Sequence, residues 1–124
     1  MRLVSYDAGD GPRAGVVRAD SVVDVGRSVL ELLRSGALDA GLSPDGEGRP
    51  LGDVRLLPPV LGPEKIVCIG LNYRSHAEEQ GAEPPETPTI FAKFRNALAP
   101  PDSEVKLPGY SSKVDYEAEV AFVI

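Results

Sequence analysis

Apolar residues recur along this chain with strand-like alternation in some stretches and helix-like spacing in others. Arg2–Tyr6 and Ala14–Val25 are rich in β-branched and aromatic types, which favour a pleated, half-buried surface. They predict two strands joined by a turn at Gly9-Asp10-Gly11-Pro12. A short helix is expected next. Ser28 and Glu31 have the spacing of a capping box, Leu30, Leu32 and Leu33 supply an apolar face, and Gly36 is a stop. Leu42–Gly52 is rich in glycine, proline and charge and reads as loop, and Asp53–Leu57 as a short strand. Pro58-Pro59 and Gly62-Pro63 form a linker, so the pattern divides the chain into 1–62 and 63–124.

The second part opens with Ile66–Ile69, an unbroken apolar run expected to be a buried strand ending at Gly70. Ser75–Gln80 reads as a polar helix stopped by Gly81, and the proline-rich Glu83–Pro88 as loop. Thr89–Phe94 is a further strand, Ala99–Pro108 is turn and loop, and Val114–Ile124 (VDYEAEVAFVI) has the period of a final strand. Its alternation puts Tyr116, Ala118, Val120, Phe122 and Ile124 on an apolar face and Asp115, Glu117 and Glu119 on the other. The fold class predicted is α+β: a small N-terminal α/β domain, then a mainly β second part.

Composition narrows the function classes. With 42% hydrophobic and 26% charged residues, the chain has the balance of a globular protein. The net charge of −6, with basic residues scattered singly, disfavours nucleic acid and anionic membranes as partners. No apolar run approaches a membrane span, and MRLVSYDAGD lacks a signal-peptide layout, so a cytoplasmic protein is expected. The one cysteine, Cys68, sits in the apolar run and is expected as a core thiol rather than a nucleophile.

Two constellations carry chemistry. On the helix, His76 and Glu79 are three residues apart and share a face, while Glu78 falls at capping-box distance from Ser75. A carboxylate beside an imidazole raises its basicity and could serve to deprotonate water, although an incidental pair on a solvated helix face has the same spacing. On the terminal strand, Glu117 and Glu119 would have Cα atoms about 6.6 Å apart. At an effective dielectric near 20 their charges would repel by roughly 2.5 kcal/mol. At a core's edge this calls for protonation or a bound cation, and two hard oxygen donors suit Mg²⁺ or Mn²⁺. A solvent-facing strand accommodates both charges equally. Lys93, interrupting an apolar strand, and Arg74, beside His76, could each bind a substrate carboxylate or simply extend into solvent.

From about Lys65 onward the chain resembles the fumarylacetoacetate hydrolase family. The family's G-x-N-Y-x-x-H-x-x-E motif is matched by Gly70, Asn72, Tyr73, His76 and Glu79, and its D-Y-E-x-E-[LV] motif by Asp115, Tyr116, Glu117, Glu119 and Val120. A Phe-x-Lys strand containing Lys93 lies between them. The resemblance implies a mixed β-roll or sandwich, usually a homodimer, and a Mg²⁺- or Mn²⁺-dependent hydrolase, decarboxylase (lyase) or isomerase. Its substrate would be a small 1,3-dicarbonyl or 2-oxo acid, acylpyruvate- or oxaloacetate-like, handled through a metal-bound enolate. Glu117 and Glu119 would be metal ligands, and His76 with Glu79 the acid/base dyad on a lid. Lys93 would act catalytically, and Asn72, Tyr73 and Arg74 would line the substrate site. The family's third ligand, an Asp, falls beyond the last residue here. The 124 residues are therefore expected to be one portion of a longer enzyme, or to be completed by a second chain. The alternative is a non-catalytic half-domain serving binding or dimerisation.

Overall fold

The computed structural model describes all 124 residues, Met1–Ile124. β1 (Leu3–Asp7), β2 (Pro12–Arg18), β3 (Ser21–Asp24), β4 (Arg49–Pro50) and β5 (Leu56–Leu57) form an antiparallel sheet in the order β4-β3-β2-β1-β5. The single strand expected over Ala14–Val25 is in fact a hairpin, with Arg18 opposite Ser21 and Gly15 opposite Asp24. The turn is Ala19-Asp20, and Ala19 takes a φ of 48°, a place normally filled by glycine. The pattern therefore gave no punctuation there. Leu42–Gly52 is not all loop: Arg49 and Pro50 pair with Val22 and Ser21, with the proline at a sheet edge, where its missing N–H is tolerated. Leu51–Asp53 is a 3₁₀ turn, which shortens the expected Asp53–Leu57 strand to Leu56–Leu57.

α1 (Val29–Arg34) starts as its sequence predicts. Ser28 Oγ accepts from the Glu31 N–H, and the Glu31 carboxylate accepts from the Ser28 N–H at 2.7 Å. It ends at Gly36, φ 66°, where the Gly36 and Ala37 N–H groups return to the Leu33 and Leu32 carbonyls. α1 buries Val29 and Leu32 against Ala14 of β2, while Tyr6, Val16, Val22 and Val23 fill the remaining core. Gly15 permits this packing, because a Cβ there would stand 2.1 Å from a Val22 methyl and 3.3 Å from the Tyr6 ring. Arg13 bridges Asp24 at 2.7 Å and also contacts Asp10. Burial pushes the Asp24 carboxyl upward, but the Gly26 N–H, Arg13 and the Tyr6 hydroxyl outweigh it and hold the group below its ordinary range.

The second half is built differently. β6 (Ile66–Gly70) and β7 (Thr89–Lys93) pair as one antiparallel hairpin, with α2 (Arg74–Glu79) in the connection. The fold is thus α+β and mainly β. Of the 11 buried residues, only Ala77 lies beyond Pro58. The expected buried strand exists, but Val67 is 62% exposed, because nothing packs over that face of the hairpin. Cys68 is half-buried. The final strand expected over Val114–Ile124 is not formed: the segment has no ladder partner and every residue in it is exposed. Alternation supplies a face, but a strand also needs a neighbour to take its N–H and C=O groups. No helix is long and apolar enough to cross a membrane.

Gly15→Ala should lower stability by about 1–3 kcal/mol through overpacking, read as a fall in unfolding free energy in denaturant. Asp24 has a depressed folded pKa, so its stabilisation is present at neutral pH and is lost as pH falls through that value. Asp24→Asn should therefore melt below the parent at pH 7, with the gap closing under acid conditions. A gap independent of pH would contradict the assignment.

Candidate functional site

The chain leaves β6 at Gly70 and turns sharply at Leu71, whose φ of 50° lies in the left-handed region that a side chain rarely adopts. Such a residue costs roughly 1–2 kcal/mol. Tyr73 follows in extended conformation as the N-cap of α2, and its carbonyl accepts from the His76 and Ala77 N–H groups at 3.1 and 3.2 Å. The helix thus begins before Ser75, which lies inside the first turn. The Ser75–Glu78 capping box is therefore not made, and no side chain caps α2. The far end is as expected: Gly81, φ 63°, lets the Gly81 and Ala82 N–H groups close on the Glu78 and Ala77 carbonyls. Ala77, 0% exposed, anchors the helix.

His76 is half-buried on this turn. Its partner is Gln80, one helical turn on: Gln80 Nε2 donates to His76 Nε2 at 2.7 Å. This occupies the Nε2 lone pair and puts the ring proton on Nδ1. Glu79, expected as the partner, is exposed and forms no ion pair with His76. Both residues are within one turn of the imidazole, and the amide holds the contact. Gln80 was missed because it read only as the last helical residue; its signal was the i,i+4 spacing from the chain's single histidine.

Asn72, Tyr73 and Arg74 are exposed around the same turn. Lys93 is elsewhere. The ladder pairs it with Ile66, and the turn leaves from Gly70 at the opposite end, about 13 Å along the strand. Glu117 and Glu119 are exposed and in no salt bridge. Their segment makes one long-range hydrogen bond, in which the Val120 N–H donates to Tyr73 Oη at 3.4 Å across 47 residues. The structure therefore joins the two motifs through Tyr73 but leaves Lys93 apart.

Two carboxylates fit the donor chemistry of a hard divalent cation, but no group of three His, Cys, Asp or Glu side chains gathers in the chain. The set is two ligands and not a closed site. Two surface cavities are lined by other residues. One, ≈ 780 Å³, lies beside Arg55 and Pro100–Ser103, and the other, ≈ 550 Å³, between α1 and Phe122–Ile124.

Comparisons with known proteins match both halves. The family model described as "Fumarylacetoacetate (FAA) hydrolase C-terminal" matches residues 65–124, and that described as "Rv2993c-like, N-terminal" matches residues 1–59. A relative from Xenopus laevis, named oxaloacetate tautomerase fahd2, mitochondrial, is 36% identical over 140 aligned positions, covering 100% of this chain and 44% of its own length. Protein Rv2993c of Mycobacterium tuberculosis is 46% identical over 79 positions, 64% of this chain and 29% of that protein. A crystal structure from Mycobacterium smegmatis, assigned as an HpcE protein, superposes with a TM-score of 0.69 at 29% identity, covering 88% of this chain and 41% of that one. The chain thus spans less than half the length of these relatives.

The His76–Gln80 contact predicts the Nδ1–H tautomer of the ring, visible in its ring nitrogen NMR shifts. Gln80→Leu should move the population toward Nε2–H. Unchanged shifts would show that the amide does not set the tautomer.

Proposed function

The chain belongs to the fumarylacetoacetate hydrolase family, and on that premise we propose that it is part of an enzyme acting on a small 2-oxo acid of oxaloacetate type. The relatives named oxaloacetate tautomerases support the substrate class and favour the isomerase branch over hydrolysis or decarboxylation. The step common to all three is proton transfer at a carbon flanked by two carbonyl groups, giving or consuming an enol.

The observation that supports a single site most directly is the hydrogen bond between Tyr73 Oη and the Val120 N–H, which brings the His76 helix to the Glu117–Glu119 segment. In the observed pairing Gln80 occupies His76 Nε2, so the imidazole offers its Nδ1–H to a substrate oxygen. Glu79, exposed on the same turn, is the free carboxylate base beside it. Arg74 is the nearer cation for a substrate carboxylate, and Asn72 adds an amide beside it. Lys93 would join them only if the hairpin and the helix close on a common ligand. A divalent cation, Mg²⁺ or Mn²⁺, would when bound polarise the substrate's oxygens. Glu117 and Glu119 would supply two of its ligands, and the others would come from outside these residues. We include in the proposal a homodimer, or a second chain completing the fold.

A second reading is a binding or dimerisation module. The open apolar face of the hairpin, with Val67 and Ile90 exposed, is the feature that favours it. Activity separates the two. In the intact protein with Mg²⁺, enol-to-keto conversion of oxaloacetate should be accelerated and followed by loss of the enol's ultraviolet absorbance. His76→Ala should lower kcat by about 100-fold or more. Acceleration that survives this substitution removes His76 from the chemistry, and no acceleration in the parent favours the module.

A further inference from the structure

Residues 112–124 make a single long-range hydrogen bond, the Val120 N–H to Tyr73 Oη. The segment's other bonds are local: the Tyr116 N–H to Asp115 Oδ1 and the Lys113 N–H to Ser111 Oγ. Glu119 precedes Val120 directly, so whatever holds Val120 also limits where that carboxylate can stand. At its other end Tyr73 is the N-cap of α2, and its carbonyl accepts the N–H of His76 itself. The left-handed turn at Leu71 sets where this residue emerges from β6. One residue is therefore bonded through its main chain to the histidine helix and through its side chain to the acidic segment.

We propose that Tyr73 is a positioning residue, not a substrate contact: its hydroxyl accepts the Val120 N–H and holds the Glu117–Glu119 segment against the helix that carries His76. This rests on the reading of Glu117 and Glu119 as ligands only for its consequence, since the tether itself is defined by the hydrogen bond. The ring is half-open to solvent, at 41% exposure, so removing the hydroxyl opens no cavity and should leave the melting temperature unchanged.

The test is Tyr73→Phe in the intact protein, with three readouts. Amide hydrogen exchange at Val120 in metal-free protein should quicken about fivefold, the equivalent of one net hydrogen bond. The dissociation constant for Mn²⁺, followed by water proton relaxation without substrate, should rise by about the same factor. The KM for oxaloacetate at saturating Mn²⁺ should stay where it is while kcat falls. A raised KM with unchanged Mn²⁺ affinity and unchanged Val120 exchange would make Tyr73 a substrate contact and overturn the proposal. Glu119→Gln serves as the control for the ligand reading. If it leaves Mn²⁺ affinity intact that reading fails, and exchange at Val120 still decides the tether by itself.

Discussion

Five cross-strand pairs, from Ile66 opposite Lys93 to Gly70 opposite Thr89, hold the second half of the chain together. The positions around the His76 turn, and Lys93, take their place from that ladder, whereas Glu117 and Glu119 lie on a segment that has no ladder partner. The ladder fixes Gly70, from which Leu71 turns the backbone into α2. Tyr73 follows as the helix cap, and the His76–Gln80 contact follows from the helix. The same register carries Lys93 to the far end of the hairpin. A two-stranded hairpin is marginal alone in water. Here its connection is ordered by α2, which buries Ala77 and closes at Gly81.

The two halves differ in how far they satisfy their own apolar surface. The first closes a five-stranded sheet over α1 and buries Tyr6, Leu32, Val16, Val22 and Val23. Its polar interior is satisfied as well, with Ser5 Oγ donating to the Pro59 carbonyl at 2.7 Å. The second presents Val67, Ile90, Phe94, Val120 and Phe122 to solvent. A layer needs an opposing layer to become a core, and one hairpin with one short helix offers a single face. The solved relative is covered over 41% of its length, so its own structure contains much that has no counterpart in these residues.

What could be read from the residues was local. The Ser28–Glu31 capping box and the glycine stops at Gly36 and Gly81 are fixed by bonds within one turn, and all three were legible. The bounds of β6 were legible from its apolar run and glycine. The hairpin at Ala19-Asp20 was not, because an alanine with positive φ carries no turn signature. Burial of β6 and strand formation in Val114–Ile124 were misread for one reason: alternation describes the side chains, whereas pairing and cover depend on partners elsewhere. In the candidate site, the grouping of Asn72, Tyr73, Arg74 and His76 was visible in their adjacency. The exchange of Glu79 for Gln80 beside the imidazole was not, since i,i+3 and i,i+4 neighbours compete and side-chain chemistry decides between them.

The central claim is that the His76 helix and the Glu117–Glu119 segment serve one centre for a 2-oxo acid. Its most direct test is a crystal structure of the intact protein grown with Mn²⁺ and oxalate, a compact mimic of the enolate. The account predicts an anomalous manganese peak bound by Glu117 and Glu119, with oxalate on the metal and its far edge within hydrogen-bond reach of His76. Manganese held by other residues, or oxalate bound out of reach of the histidine, would contradict it.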